Sequence, residues 1–209
     1  MSVGKFITVE GIEGTGKSTN LDFVTGLIQS HGYEVHRTRE PGGTPMAENI
    51  RQLLLDNGQE TVPPIAELLL FFASRSLHLE NTIKPALEAG RWVLCDRFTD
   101  ATRAYQGVGR GLGLDRVEHL ADWVLQGLEP NLTLLLDAPA EVGLERVRAR
   151  GECDRMDNEA LAFYQRVRDA YLSLADAYPT RFAIIDASQP LDGVQAEIEA
   201  VMRPYFDHN

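Results

Sequence analysis

Short apolar runs separated by stretches of helical periodicity set the first picture of this chain. Runs at 6–9, 92–95, 132–136 and 182–185, with a weaker one near 34–38, have the length of strands buried on both faces. Between them the pattern turns helical over 17–30, 46–55, 65–89, 115–126, 140–149, 158–177 and 191–205. Pro85 falls inside the third of these and should kink or end it, because its ring removes a hydrogen bond and crowds the preceding turn. Strands alternating with helices predict an α/β fold, a parallel sheet with helices on both faces. Ligands of such folds collect at the carboxyl ends of the strands. With no Ser/Gly-rich linker, internal repeat or low-complexity tract, one domain over 1–209 is expected.

The first strand runs directly into Glu10-Gly11-Ile12-Glu13-Gly14-Thr15-Gly16-Lys17-Ser18-Thr19. The Gly-x-x-x-x-Gly-Lys-Ser spacing, between a strand and a helix, is that of a P-loop. Glycines let successive N–H groups turn inward around a phosphate, and the helix N-terminus adds a favourable dipole. Residues Gly11 to Thr19 are thus the expected ATP-binding segment, with Lys17 reaching the β and γ phosphates and the Ser18 hydroxyl on Mg²⁺. Glu13 is unexpected there, a carboxylate where the ligand is strongly negative.

Three further polar groups follow strands and reach the same rim: Arg39-Glu40-Pro41-Gly42-Gly43-Thr44, Asp96-Arg97 and Asp137-Ala138-Pro139. Asp96 is a candidate Mg²⁺ partner, but Asp137 has a similar pattern and spacing does not separate them; one of the two could instead cap the next helix. Arg97 beside the metal position can grip a phosphate bidentately. Phe71 and Arg75 are four apart and share a helix face, a workable nucleobase reader within a stripe that otherwise reads as core. Four arginines, Arg146, Arg148, Arg150 and Arg155, straddle Gly151, which suits a lid over about 146–157 closing on ATP phosphates. A lid that delivers the catalytic cation leaves the P-loop without need of its own, and Glu13 can then position a lid arginine on closure. The alternating glycines from Gly107 to Gly113 follow a helical pattern rather than a strand and read as a flexible loop near the acceptor site, after Thr102, Tyr105 and Gln106.

Composition narrows the ligands. A formal net charge of −11 repels a phosphodiester backbone, so nucleic acid is not an expected partner, whereas a few converging arginines suffice for small phosphorylated ligands. No apolar run approaches bilayer length and no signal-peptide pattern precedes the first strand, so a cytoplasmic protein is expected. The two cysteines, Cys95 and Cys153, sit in unrelated contexts and read as reduced thiols. None of the five histidines has metal-ligand spacing, and no Ser/His/Asp set is apparent.

Taken together and in order, EGIEGTGKST, REPGGT, FFASR, DRF, AYQGVGRG, LDAP and RARGECDR resemble bacterial thymidylate kinase from residue 5 to about 190. The resemblance implies a P-loop nucleoside monophosphate kinase fold with a five-stranded parallel sheet, usually homodimeric. It implies transfer of the γ-phosphoryl group of ATP to thymidine 5′-monophosphate (dTMP), with Mg²⁺. On this sequence it implies that Phe71 stacks on thymine, Arg75 meets a base carbonyl, and Arg97 holds the acceptor phosphate. Thr102, Tyr105 and Gln106 would line the base and sugar pocket, Glu10 would lie near sugar and phosphate, and Arg39 would join the substrate site. Glu13 with the lid arginines matches the form whose catalytic arginine lies in the lid, which leaves open whether Arg148, Arg150 or Arg155 plays that part. Backbone near Ala187-Ser188-Gln189 is the suggested adenine contact. A kinase for another nucleoside monophosphate would share everything but the acceptor pocket. A GTP-dependent switch would call for Asn-Lys-x-Asp and Asp-x-x-Gly motifs, which the sequence lacks.

Overall fold

Five strands, Phe6–Glu10 (β1), Val35–Arg39 (β2), Trp92–Asp96 (β3), Leu132–Asp137 (β4) and Phe182–Asp186 (β5), form one all-parallel sheet in the order β2-β3-β1-β4-β5. The computed structural model describes residues 4–56, 61–151 and 159–206. Its α-helices are Lys17–Ser30 (α1), Pro45–Leu55 (α2), Pro64–His78 (α3), Lys84–Glu88 (α4), Thr99–Thr102 (α5), Leu114–Leu125 (α6), Ala140–Arg150 (α7), Leu161–Ala177 (α8) and Leu191–Phe206 (α9). Wider π-helical turns cover Leu79–Ile83 and Arg103–Gly109.

Alternation along the central strands sorts two cores. Ile7 and Val9 of β1, Trp92 and Leu94 of β3, and Leu132, Leu134 and Leu136 of β4 pack against Leu21, Val24 and Ile28 of α1 and Val194, Ile198 and Met202 of α9. On the opposite face Phe6, Val93 and Cys95 meet α3 and α6, while Leu135 and Phe182 meet α8. That second face of β1 turns polar toward the carboxyl end, where Thr8 and Glu10 are both fully buried. Burying polar groups beside a core is costly unless they are bonded. Here Thr8 Oγ1 meets Thr133 Oγ1 at 3.0 Å, and Glu10 serves the site described below.

β2 is an edge strand, which explains its weak sequence signal: Val-His-Arg-Thr-Arg has no fully buried position. The expected helix over 65–89 is divided by a device other than a stop at Pro85. Leu79–Ile83 widens into a π turn, and the helical backbone continues through right-handed Ile83 and Lys84 into α4, so Pro85 does not end it. The expected glycine loop over Gly107 to Gly113 is corrected in its first half, while Gly111 and Gly113 lie in irregular backbone with open space around them. Gly107 and Gly109 lie buried inside the Arg103–Gly109 π turn, and a Cβ on Gly109 would stand 2.8 Å from the Phe163 ring, so these glycines serve close packing.

Candidate active site

The P-loop leaves β1 and closes on itself through its own carbonyls. Thr15 Oγ1 donates to the Ile12 carbonyl at 2.9 Å, and Lys17 Nζ donates to the carbonyls of Gly11 and Ile12 at 3.1 and 2.8 Å. Gly16 caps α1 in the left-handed region (φ 83°), with no side chain satisfying the helix N–H groups that an anion would take up. Gly14 approaches α7 so closely that a Cβ would lie 2.1 Å from the Gly143 carbonyl oxygen. Ser18 and Thr19 are exposed at the start of α1. Burial, and next the charge on Arg97, lower the Lys17 ammonium to about 8, while Asp96, Glu13 and Glu10 hold it up.

A cavity opens beside the loop, lined by residues that include Glu13, Arg51, Phe71, Arg75, Arg97, Thr102, Tyr105 and Gln106. Six of the residues expected at the acceptor site from sequence, Phe71, Arg75, Arg97, Thr102, Tyr105 and Gln106, meet here. Arg75 is 1% exposed; its Nε donates to Glu40 Oε2 at 2.7 Å, and its Nη2 donates to the Phe98 carbonyl and Thr102 Oγ1 at 3.1 and 3.0 Å. Its Nη1 is buried with no hydrogen-bond partner among the described residues, on a side chain that lines the cavity. Gln106 Nε2 donates to Glu67 Oε1 at 2.8 Å, which orients the amide.

Arg97 joins the cavity to the loop. Its Nη2 donates to Glu13 Oε1 at 2.8 Å, its Nη1 to the Tyr171 hydroxyl at 3.3 Å, and its guanidinium lies 4.8 Å from the Tyr105 ring centroid. The backbone of Arg97 is left-handed (φ 67°), a strained conformation for a non-glycine residue of the kind that gathers at functional sites. Tyr105 donates to Glu13 Oε2 at 2.6 Å, so both Glu13 oxygens accept from residues that line the cavity. Beneath this layer Glu10 accepts from the Phe98 N–H and the Tyr171 hydroxyl, each at 2.7 Å, without lining the cavity. Burial, then the nearby Asp100, push its carboxyl up to about 8 against the pull of Arg97 and those hydrogen bonds.

The two rim aspartates part company here. Asp137 is clamped by Arg168, with Nε on Oδ1 and Nη2 on Oδ2 both at 2.7 Å, and caps no helix. Asp96 keeps a buried Oδ1 without a partner among the described residues, and its charge acts on Lys17. An orphaned carboxylate oxygen near the P-loop lysine fits a hard cation held through oxygen ligands. No cluster of three or more His, Cys, Asp or Glu side chains among the described residues competes with it.

Arg39 is corrected in position. Its Nη2 donates to Glu48 Oε2 at 2.8 Å on an exposed edge, and Arg51 lines the cavity in its place. Helix phase was the available signal, since Arg51 falls between the buried Ala47 and Leu54 on one face of α2. Arg146 is a second residue that sequence did not single out within its cluster. Its Nη1 donates to the carbonyls of Gly14 and Ala187 at 3.3 and 3.1 Å, tying the P-loop to the segment suggested for adenine. Arg148 is exposed on α7, and Gly151 ends that helix at φ 83°. Arg150 lies at the end of α7, and Arg155 lies outside the described residues together with 152–158.

A five-stranded parallel sheet, a P-loop opening the first helix and an arginine bridging that loop to an adjoining cavity define a P-loop nucleoside monophosphate kinase fold. A family model described as Thymidylate kinase matches residues 9–198. The chain is 57% identical to the thymidylate kinase of Chromohalobacter salexigens over 96% of this chain and 95% of that protein. It is 54% identical to that of Methylococcus capsulatus over 95% and 94%, and 52% identical to that of Pseudomonas putida strain GB-1 over 95% of both. The chain belongs to the thymidylate kinase family.

Proposed function

We propose that this protein phosphorylates dTMP to thymidine 5′-diphosphate with ATP as donor, feeding dTTP synthesis. The observation that carries this reading is the position of Arg97, hydrogen-bonded to Glu13 of the phosphate loop while lining the cavity that holds Arg75 and Phe71. An acceptor phosphate gripped by Arg97 lies next to the γ-phosphate held by the loop. One acceptor phosphate oxygen attacks the γ-phosphorus in line, the bond to the β–γ bridging oxygen breaks, and ADP leaves with the electron pair. The acceptor phosphate is largely ionised at neutral pH, so no side chain has to remove a proton. Arg97 aligns the nucleophile and Lys17 leaves its loop carbonyls to neutralise the transferred group; such positioning and charge compensation carry most of the catalysis. Mg²⁺ would be held by Ser18 and Asp96 and would neutralise charge on the β and γ oxygens; the bare Asp96 Oδ1 supports that site.

The free Nη1 donor of Arg75 supports recognition of a base carbonyl, with Phe71 for stacking and Thr102, Tyr105, Gln106 and Arg51 enclosing the nucleotide. Glu10 acts from below, through Tyr171 and the backbone of Phe98. Arg148, Arg150 and Arg155 remain the candidates for a lid cation. We also propose one domain, a cytoplasmic setting and a homodimer. Met46 and Leu53 on α2, with Ile65 and Leu69 on the adjoining α3, present exposed apolar side chains suited to a second copy. No helix among the described residues is long and apolar enough to cross a membrane.

ADP release from Mg-ATP, measured with dTMP, dUMP, AMP, CMP, GMP and shikimate in turn, tests the reading. A rate with dTMP far above the others is expected. A preferred acceptor other than dTMP would overturn the assignment of the cavity while leaving the P-loop intact.

A further inference from the structure

Arg75 can present Nη1 to a ligand only while the rest of its guanidinium is held still. Two of its nitrogens are fixed by Glu40, the Phe98 carbonyl and Thr102. Glu40 is itself 4% exposed and uses its other oxygen, Oε1, to accept from Nδ1 of His78 at 2.9 Å. His78 lies three residues after Arg75 on α3, on the same face, and is fully buried. Its Nε2 meets Thr38 Oγ1 of β2 at 2.7 Å. Gly43 (φ 86°) closes over the imidazole: a Cβ there would stand 2.4 Å from His78 Cδ2 and 2.5 Å from Nε2, so the ring is boxed in.

That second bond to Glu40 has a geometric consequence. A carboxylate with both oxygens free chelates an arginine side-on through Nε and Nη2. Such chelation would draw Nη2 away from the Phe98 carbonyl and Thr102 and turn Nη1 out of its present direction. With Oε1 taken by His78, Glu40 holds Arg75 through Nε alone.

We propose that His78, acting through Glu40 and braced by Thr38, is a positioning residue that sets acceptor-base selectivity by fixing the direction of Arg75 Nη1. The inference rests on the acceptor-cavity reading above. A guanidinium only donates, so an aligned Nη1 favours a pyrimidine carbonyl over the amino group that cytosine carries at the corresponding position. Misalignment weakens the favoured acceptor and leaves the poor one nearly unaffected.

The test compares kcat and KM for dTMP and dCMP, and KM for ATP, in the full-length protein and four variants. His78→Leu is expected to raise the KM for dTMP about tenfold, the size of one charge-assisted hydrogen bond, and to lower the dTMP:dCMP preference about as much. KM for ATP should stay within twofold. His78→Asn, whose amide can replace Nδ1 as donor to Glu40, is expected to restore most of the preference. Thr38→Val, which keeps the strand-favouring shape, should lower it two- to threefold. A histidine important only for stability would lower Tm and the active fraction, changing kcat for both acceptors alike. Arg75→Ala separates the two levels of the argument. If Arg75→Ala collapses the preference while His78→Leu and Thr38→Val leave it unchanged, the proposal is wrong and the cavity reading stands. If Arg75→Ala itself leaves the preference unchanged, the cavity reading fails first. Should His78→Leu not fold, an unchanged preference in Thr38→Val is sufficient to reject the positioning role.

Discussion

The donor and acceptor sides of this site share a rim but are built in opposite ways. The P-loop is made of backbone: its lysine and threonine hold its own carbonyls, and Gly14 meets Gly143 where no Cβ fits. The proposed acceptor cavity is made of side chains converging from the P-loop, α2, α3, the residue after β3, α5 and the π turn that follows it, and Arg75, Arg97, Tyr105 and Gln106 among them are oriented by other polar groups. A backbone site fails when an atom is added, because packed main chain cannot move aside. A side-chain site fails when a partner is removed, because the remaining group loses its direction or is left unpaired.

Arg97 belongs to both halves, so its loss should have the largest effect. Arg97→Ala is expected to lower kcat by roughly 10²–10³-fold, the scale for removing one preorganised donor of charge, and Lys17→Ala should do the same from the donor side. Steady-state rates at saturating ATP and dTMP check this; losses below about tenfold in both would remove the two residues from the catalytic role. Gly14→Ala comes next and touches only the loop. With a Cβ 2.1 Å from the Gly143 carbonyl oxygen and φ at 76°, the loop must shift against α7. Because a shift of about 1 Å can cost about 10²-fold, a fall of that size in kcat/KM for ATP is expected. Calorimetric dTMP affinity should stay within a fewfold; equal loss of both ligands would show that the two halves are not separately built.

The same contrast governs what could be read in advance. The P-loop was legible because its constraint is local: contiguous residues, positive-φ glycines and a strand and helix on either side. The members of the cavity were legible individually, as Phe71, Arg75, Arg97, Thr102, Tyr105 and Gln106, but their partnerships were not. Glu13 meets Arg97 and Tyr105 across 84 and 92 residues, and Arg168 reaches Asp137 across 31. Only the folded sheet brings those pairs together. Arg51 and His78 left a usable trace, since each shares a helix face with buried or functional neighbours. The glycines at 107 and 109 misled because composition cannot distinguish a glycine needed for freedom from one needed for close packing; the Phe163 ring decides it.

Glu13→Gln is expected to have a smaller effect, on the acceptor half. A glutamine keeps one acceptor oxygen, so the Arg97 guanidinium and the Tyr105 hydroxyl can no longer both be satisfied as they are now. Losing one charge-assisted hydrogen bond should raise the KM for dTMP about tenfold with little change in the KM for ATP. The opposite split, with ATP affected and dTMP not, would support the expectation that Glu13 serves the lid arginines. Stopped-flow kinetics of ATP binding would then separate a slower lid from a weaker loop.

The smallest effect concerns stability and comes from beneath the site. Glu10 has its carboxyl raised to about 8 in the fold, from an ordinary value of 4.5, with burial the leading cause. Between those two values the folded protein keeps a proton that the unfolded chain has released. Its unfolding therefore becomes easier as pH rises, and the stabilisation present below 4.5 is lost once pH passes the folded value. Glu10→Gln cannot titrate and should lack this slope. The difference in Tm, variant minus wild type, is thus expected to grow by a few degrees from pH 5.5 to pH 8.5, whatever constant offset follows from disturbing Tyr171 and Phe98. Calorimetric scans at both pH values decide it. A difference that stays constant would mean that Arg97 and the two hydrogen bonds to Glu10 outweigh burial, and that the layer beneath the site is charged throughout the working range.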